Sequence, residues 1–178
     1  MNYAPFLNAI SFAADRHRNQ KRKDQDASPY INHPIAVAAV LATAGNVVDE
    51  SILIAAILHD TVEDTETTFE ELESLFGTDV TGIVRELTDD KTLPKEVRKE
   101  LQIGHAAHAS HRAKQVKIAD KICNISDILK SPPHDWSVER KREYLEWAGK
   151  VVQGCRGVNP GLEKVFDELL ANGSALEK

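Results

Sequence analysis

Cysteine is nearly absent from this chain, with Cys123 and Cys155 the only thiols among 178 residues. Both sit in helical apolar patterns, so reduced thiols in a cytoplasmic protein are expected, and disulfides are excluded as the source of stability. Also missing is any apolar run near the ~20 residues that a membrane span needs. The start MNYAPFLNAISFAADRHR lacks a signal-peptide layout. There is no basic excess. A net charge of −6 argues against a general nucleic-acid binder, which needs a basic face to displace counterions. No P-loop pattern occurs, so a Walker cradle for nucleotide is excluded. Strand alternation persists nowhere, and there is neither an internal repeat nor a low-complexity segment.

What the chain does have is ordinary soluble composition, 42% apolar and 28% charged, at a length that suits one domain with a real core. The fold class expected is all-α, a single-domain helical bundle. Apolar spacing predicts helices over 4–20, over PIAVAAVLATAG from Pro34 to about Gly45, and over 50–60, the last apolar on most sides and so buried. Thr67 with Glu70 has capping-box spacing for a helix that Gly77 stops. Further helices are predicted at about 79–88, 112–130 and 138–153, and after the cap Asn159-Pro160. Residues 89–111 show no clear period and are expected to be loop with some helical content. Two basic islands, RHRNQKRK (16–23) and KEVRK (95–99), suit a small anion better than a polymer.

The stretch ILHDTVEDTETT, residues 57–68, closes a greasy helix with His59, Asp60, Glu63 and Asp64. At a helix end, neighbouring side chains can bend round one point. Asp120 lies within the apolar pattern of the 112–130 helix, where a buried carboxylate must be paired or bound. His33, next to Pro34, stands at the mouth of another helix. Taken singly, each has a bland reading: His59 as a surface hydrogen bond to Asp60, Asp120 as a partner for Lys117 or Lys121. Taken together they form a mixed nitrogen and oxygen donor set, suited to manganese, iron or zinc and unlike thiolate-rich structural zinc. Glu63 and Asp64 fall four residues after His59 and Asp60. Two carboxylates there could position and deprotonate a water, or could be an acidic lead into the next helix; the residues leave both open. Thr61 and Thr65 are expected to bond backbone groups, and Trp136 and Trp147 to pack.

The H…HD…D pattern, with PYINHP, AAILHDTVEDT and KIADKICNISDI, resembles the HD-domain phosphohydrolase superfamily. More narrowly it is similar to the hydrolase domain of RelA/SpoT-type alarmone enzymes. TDDKTLPK and WSVERKREYLEWAGKVV resemble its small stand-alone members, metazoan SpoT homologues among them. The likeness covers about residues 5–170. It implies one HD hydrolase domain over 1–178, with no synthetase or regulatory domain. It implies His33, His59, Asp60 and Asp120 as ligands of one ion, typically Mn2+, with Glu63 and Asp64 catalytic. Arg22 and Lys23 resemble the basic pair that approaches the nucleotide, though an exposed charge run is the alternative. Asn124, four residues after Asp120, shares its face and could read a base or ribose edge, or could be a core amide. Lys95, Arg140 and Tyr144 match the stand-alone form, where they would bind substrate. GHAAHASHR (104–112) is expected to be a mobile lid or exposed loop and not a second metal site. Ser126 stands where long bacterial relatives usually carry Arg.

The resulting expectation is removal of the 3′-pyrophosphate of guanosine 3′,5′-bis(diphosphate). A small nucleotide is the partner, with no nucleic-acid polymer and no membrane; no oligomeric state follows. The rivals are removal of the 2′-phosphate of NADPH, another phosphohydrolase of this superfamily, and a non-catalytic nucleotide sensor.

Overall fold

The helical spacings become nine helices among residues 3–174, the residues that the computed structural model describes. They are α1 (Ala4–Arg16), α2 (Asn32–Thr43), α3 (Glu50–Leu58), the single turn α4 (Thr61–Asp64) and α5 (Phe69–Leu87). Then follow α6 (Lys95–Ala106), α7 (His111–Lys130), α8 (Val138–Cys155) and α9 (Pro160–Ser174). No strand is present among these residues. The one β-type contact is an isolated bridge between Lys21 and Pro29.

α3 and α7 are the centre. α3, apolar on nearly every side, packs on α1, α2, α5 and α7; α7 also meets α2, α5, α8 and α9. Ile57, Leu58, Ile118 and Ile125 are wholly buried there. Truncating any one to Ala costs about 2–5 kcal/mol. Cys123 and Cys155 are buried free thiols, and burial pushes the Cys123 thiol up to about 12. Among the described residues no helix is long and apolar enough to cross a membrane.

Several expectations change. α1 stops at Arg16, not at residue 20, because the following His-Arg-Asn-Gln offers no apolar stripe and turns away. The cap of α5 falls one residue later than expected: Thr68 Oγ1 accepts from the Glu71 amide at 3.2 Å. Thr67 is buried and bonds Thr65 instead. Gly77 does break helical geometry, at φ +83°, yet a second helical limb follows it directly. The largest correction is at 89–111, which contains the regular helix α6. Only its Ala106 is buried, so little periodicity marked it. Asn159 caps α9 as expected, its Oδ1 accepting from Leu162 N at 3.2 Å.

Candidate active site

Three helices and one turn bring distant residues together. Asp49 caps α3 by accepting from Ser51 N, and α3 then runs to Leu58, leaving His59 and Asp60 at the junction with α4. His33 enters from the first turn of α2, and Asp120 from mid-α7. The four donor atoms form a ring that alternates nitrogen and oxygen. His33 Nε2 is 3.1 Å from Asp120 Oδ1, which is 3.9 Å from His59 Nε2. His59 Nε2 is 3.0 Å from Asp60 Oδ2, which returns to His33 Nε2 at 4.0 Å. Ligands ~2.1 Å from one cation stand about 3 Å apart when adjacent in an octahedron; the edges at 3.0 and 3.1 Å match that spacing, and those at 3.9 and 4.0 Å are wider.

His59 supplies the sharper test of fit. Its Nδ1 lies 2.7 Å from the Ala56 carbonyl, which can only accept, so Nδ1 carries a proton and the neutral ring keeps its lone pair on Nε2. That lone pair is buried, has no hydrogen-bond partner, and faces carboxylates. Two lone pairs at 3.0 Å repel unless a proton or a cation lies between them. The donor chemistry therefore fits a divalent metal. Burial opposes charge on His59, but Asp60 and then Asp120 outweigh it and raise its pKa to about 9. Burial likewise opposes ionisation of Asp60 and Asp120. His59 holds the first, and Lys121 with His33 the second, below the usual carboxylate range.

Neighbours fix these donors. Tyr30 donates its hydroxyl to Asp60 Oδ2 at 2.5 Å. Asn124 Nδ2 donates to Asp120 Oδ1 at 2.7 Å, and Lys121 Nζ to Asp120 Oδ2 at 2.8 Å. Glu63 and Asp64 lie on α4, the turn that follows Asp60; Glu63 shares a cavity with the ring, whereas Asp64 lines the neighbouring cleft. Glu63 accepts from Asp89 N at 3.1 Å and lies 3.7 Å from Arg98. Burial first, then the charges of Asp89, Asp60 and Asp64, push its carboxyl up to about 7. Asp64 accepts from Gln20 Nε2 at 2.9 Å and pairs with Lys91.

An inner cavity of about 160 Å³ holds His33, His59, Asp60, Asp120 and Glu63. An outer cleft of about 450 Å³ adjoins it, the two sharing Arg22, Tyr30 and Asn124. Arg22 is held by Asp127 at 2.6 Å and by Asn124 Oδ1 at 3.1 Å. Lys23 and Tyr144 line the outer cleft, and Tyr144 packs between Trp136 and Trp147. Arg140 stands one row back, its guanidinium 4.5 Å from the Trp136 ring centre. Lys95 is exposed at the start of α6 and lines neither cavity. Thr61 and Thr65 bond backbone carbonyls, as expected; Trp147, expected only to pack, also donates its Nε1 to Lys99 O, and Trp136 lines the outer cleft. His105, His108 and His111 are exposed, the first on α6 and the last on α7. Among the described residues, His33, His59 and Asp60 have donor atoms that all lie within 4.8 Å of one another; Asp120 falls outside that mutual limit while its Oδ1 stays 3.1 Å from His33 and 3.9 Å from His59.

Tyr30, Lys117, Lys121, Gln20, Arg98 and Gln102 are site residues that the sequence reading passed over as such. A signal existed for the two lysines: they occupy the same apolar stretch of α7 as Asp120, where a charged side chain needs a reason.

A profile for the HD domain matches residues 9–146. The chain is 52% identical to the guanosine-3′,5′-bis(diphosphate) 3′-pyrophosphohydrolase MESH1 of Danio rerio, over 93% of this chain and 92% of that one. Against the Homo sapiens protein of the same name it is 51% identical, over 93% of each. A solved structure described as a metazoan ortholog of SpoT, which hydrolyzes ppGpp and plays a role in starvation responses, superposes with a TM-score of 0.94. It is 47% identical and each chain is covered to 97%. The structure of lmo0812 from Listeria monocytogenes superposes at 0.66 with 29% identity, over 83% of this chain and 95% of that one.

Proposed function

From the premise that this chain belongs to the HD-domain family, we propose that it is a metal-dependent guanosine-3′,5′-bis(diphosphate) 3′-pyrophosphohydrolase. It would release pyrophosphate and leave the 5′-diphosphate nucleotide. The relatives of like length and name support the substrate. The observation that carries the chemistry is the alternating ring of His33, Asp120, His59 and Asp60, with edges of 3.0–4.0 Å beside Glu63.

Those four side chains would hold one Mn2+, consistent with their two imidazoles and two carboxylates and the absence of thiolate. When bound, the ion supplies Lewis acidity toward phosphate oxygen and an acidified water. The remaining work belongs to the chain. Glu63, with its pKa raised to about 7, is poised to take a proton near neutrality. It would remove one from the water that attacks the 3′-linked phosphorus. The P–O3′ bond breaks as the new P–O bond forms, and the proton returns to the departing 3′-oxygen. Asp64, held by Gln20 and Lys91, would orient the same water. Tyr30 keeps Asp60 in place. Arg22 and Asn124 bridge inner cavity and outer cleft, where the nucleoside would lie, with Lys23 and Tyr144 in the cleft wall. Arg140 would act through Trp136, and Lys95 would reach substrate only from the rim.

The test is a product assay on purified, Mn2+-supplemented protein with ppGpp and NADPH in parallel. Pyrophosphate from ppGpp is expected. Orthophosphate from NADPH with none from ppGpp would replace this reading with the 2′-phosphatase, and no product from either would favour a sensor. Glu63→Gln and Asp64→Asn are each expected to lower kcat at least 100-fold.

A further inference from the structure

Lys117 lies three residues before Asp120 on α7, with only 8% of its surface exposed, and it lines the inner cavity. Lys121, one turn on, shares that wall but is committed: its Nζ is 2.8 Å from Asp120 Oδ2 and lies 4.6 Å from the Trp147 ring centre. Lys117 makes no hydrogen bond or ion pair with any described residue. Asp89 is the acidic group whose field favours its charge most, and that carboxylate already accepts from Gln102. Burial, and then the charge of Lys121, lower the Lys117 pKa. An ammonium on a side chain so largely withdrawn from water, and without a partner, is unfavourable, and a methionine there would fill the space more cheaply.

The other charges of the cavity are answered from within the protein. Asp120 has Lys121, and Glu63 has Arg98. Lys117 is left as the cation free to meet something that enters. The inner cavity, about 160 Å³, is smaller than the ~300 Å³ at which ligand pockets usually begin. It suits phosphate groups, while a nucleoside would stay in the outer cleft of about 450 Å³.

We propose that Lys117 forms an anion subsite at the inner end of the cavity for the outer phosphate of a 3′-diphosphate, the phosphate that leaves within pyrophosphate. This rests on the function proposed above, and it makes Lys117 a determinant of diphosphate over monophosphate selectivity. A point-charge ammonium with three donors suits a terminal phosphate oxygen.

The experiment uses Mn2+-loaded protein and two probes, inorganic pyrophosphate and orthophosphate, whose binding is measured by calorimetry. Lys117→Gln and the uncharged, similarly shaped Lys117→Met are compared with wild type and with Lys117→Arg. Pyrophosphate binding is expected to weaken at least tenfold in the Gln and Met variants and orthophosphate binding less than twofold. Arg is expected to recover part of the loss. The melting temperature of Lys117→Met is expected to equal or exceed that of wild type, and KM for ppGpp to rise more than kcat falls. Unchanged pyrophosphate binding would overturn the proposal. So would equal loss of both anions or a fall in melting temperature, either of which marks a structural counter-charge. A wild type that binds pyrophosphate through Lys117 yet does not hydrolyse ppGpp would refute the substrate reading and leave the subsite standing.

Discussion

Glu63 carries a cost that its neighbours impose. Its carboxyl moves from an ordinary 4.5 to about 7 through burial and three nearby carboxylates. Between those values the folded protein binds a proton that the unfolded chain has released, so stability falls as pH rises through this window and levels off above it. The full shift would correspond to about 3 kcal/mol, and the partial exposure of this side chain reduces that to the order of 1–2 kcal/mol. Glu63→Gln should therefore raise the melting temperature of chelator-treated protein at pH 8 and leave it nearly unchanged at pH 5. Equal shifts at both pH values would refute this origin. The residues of the donor ring stood out in the sequence only as a set, placed where apolar helices begin, end or face inward, and it was the family resemblance that joined them as ligands. Lys117 entered only as a partner for Asp120, although its place in the apolar stretch of α7 marked it as a charge that needs a reason. Lys95 was carried over by resemblance alone, and it lines neither cavity.

α6 reaches the site without belonging to its motif. Arg98 approaches Glu63, and Gln102 holds Asp89, whose amide donates to Glu63. The helix is seated on α8 by the Trp147–Lys99 bond and by the close approach of Ala106 to Gly154. A Cβ at Gly154 would stand 2.9 Å from Ala106 Cβ and 3.0 Å from Ala107 N. Gly154→Ala should thus push α6 away, cost about 1–3 kcal/mol in urea melts, and lower kcat although it touches no reacting group. Gly104 is the control: it is helical, and an added Cβ there meets nothing within 4 Å. Gly104→Ala should stabilise by about 0.5–1 kcal/mol. The same helix explains what sequence missed at this scale. Its attachment depends on a backbone acceptor, one small buried residue and a glycine on a distant helix, none of which produces an apolar stripe. The helices with broad apolar faces, α2, α3 and α7, were legible to within two or three residues, and Gly77 was legible because only a break in helical geometry needs it.

Across the whole molecule, one ion in the donor ring would tie α2, the α3–α4 junction and α7, elements separated by up to 87 residues. Binding to the folded state alone should stabilise by about 2.7 kcal/mol at a hundredfold excess over Kd. For a domain of this size that is a rise in melting temperature of roughly 5–10 °C. Thermal melts with and without Mn2+ should show it, and Asp120→Asn should abolish most of it; an equal shift in that variant would mean the ion binds elsewhere. The chain's two tryptophans stand beside these cavities. Trp136 forms part of the outer cleft beneath Arg140, and Trp147 lies under Lys121, the cation clamped to Asp120. Indole emission responds to charge and water close to the ring, so an arriving nucleotide should dim or shift Trp136, and changes at the ring should reach Trp147. With Trp136→Phe and Trp147→Phe to separate the signals, the protein carries an optical gauge of its own occupancy that needs no added dye.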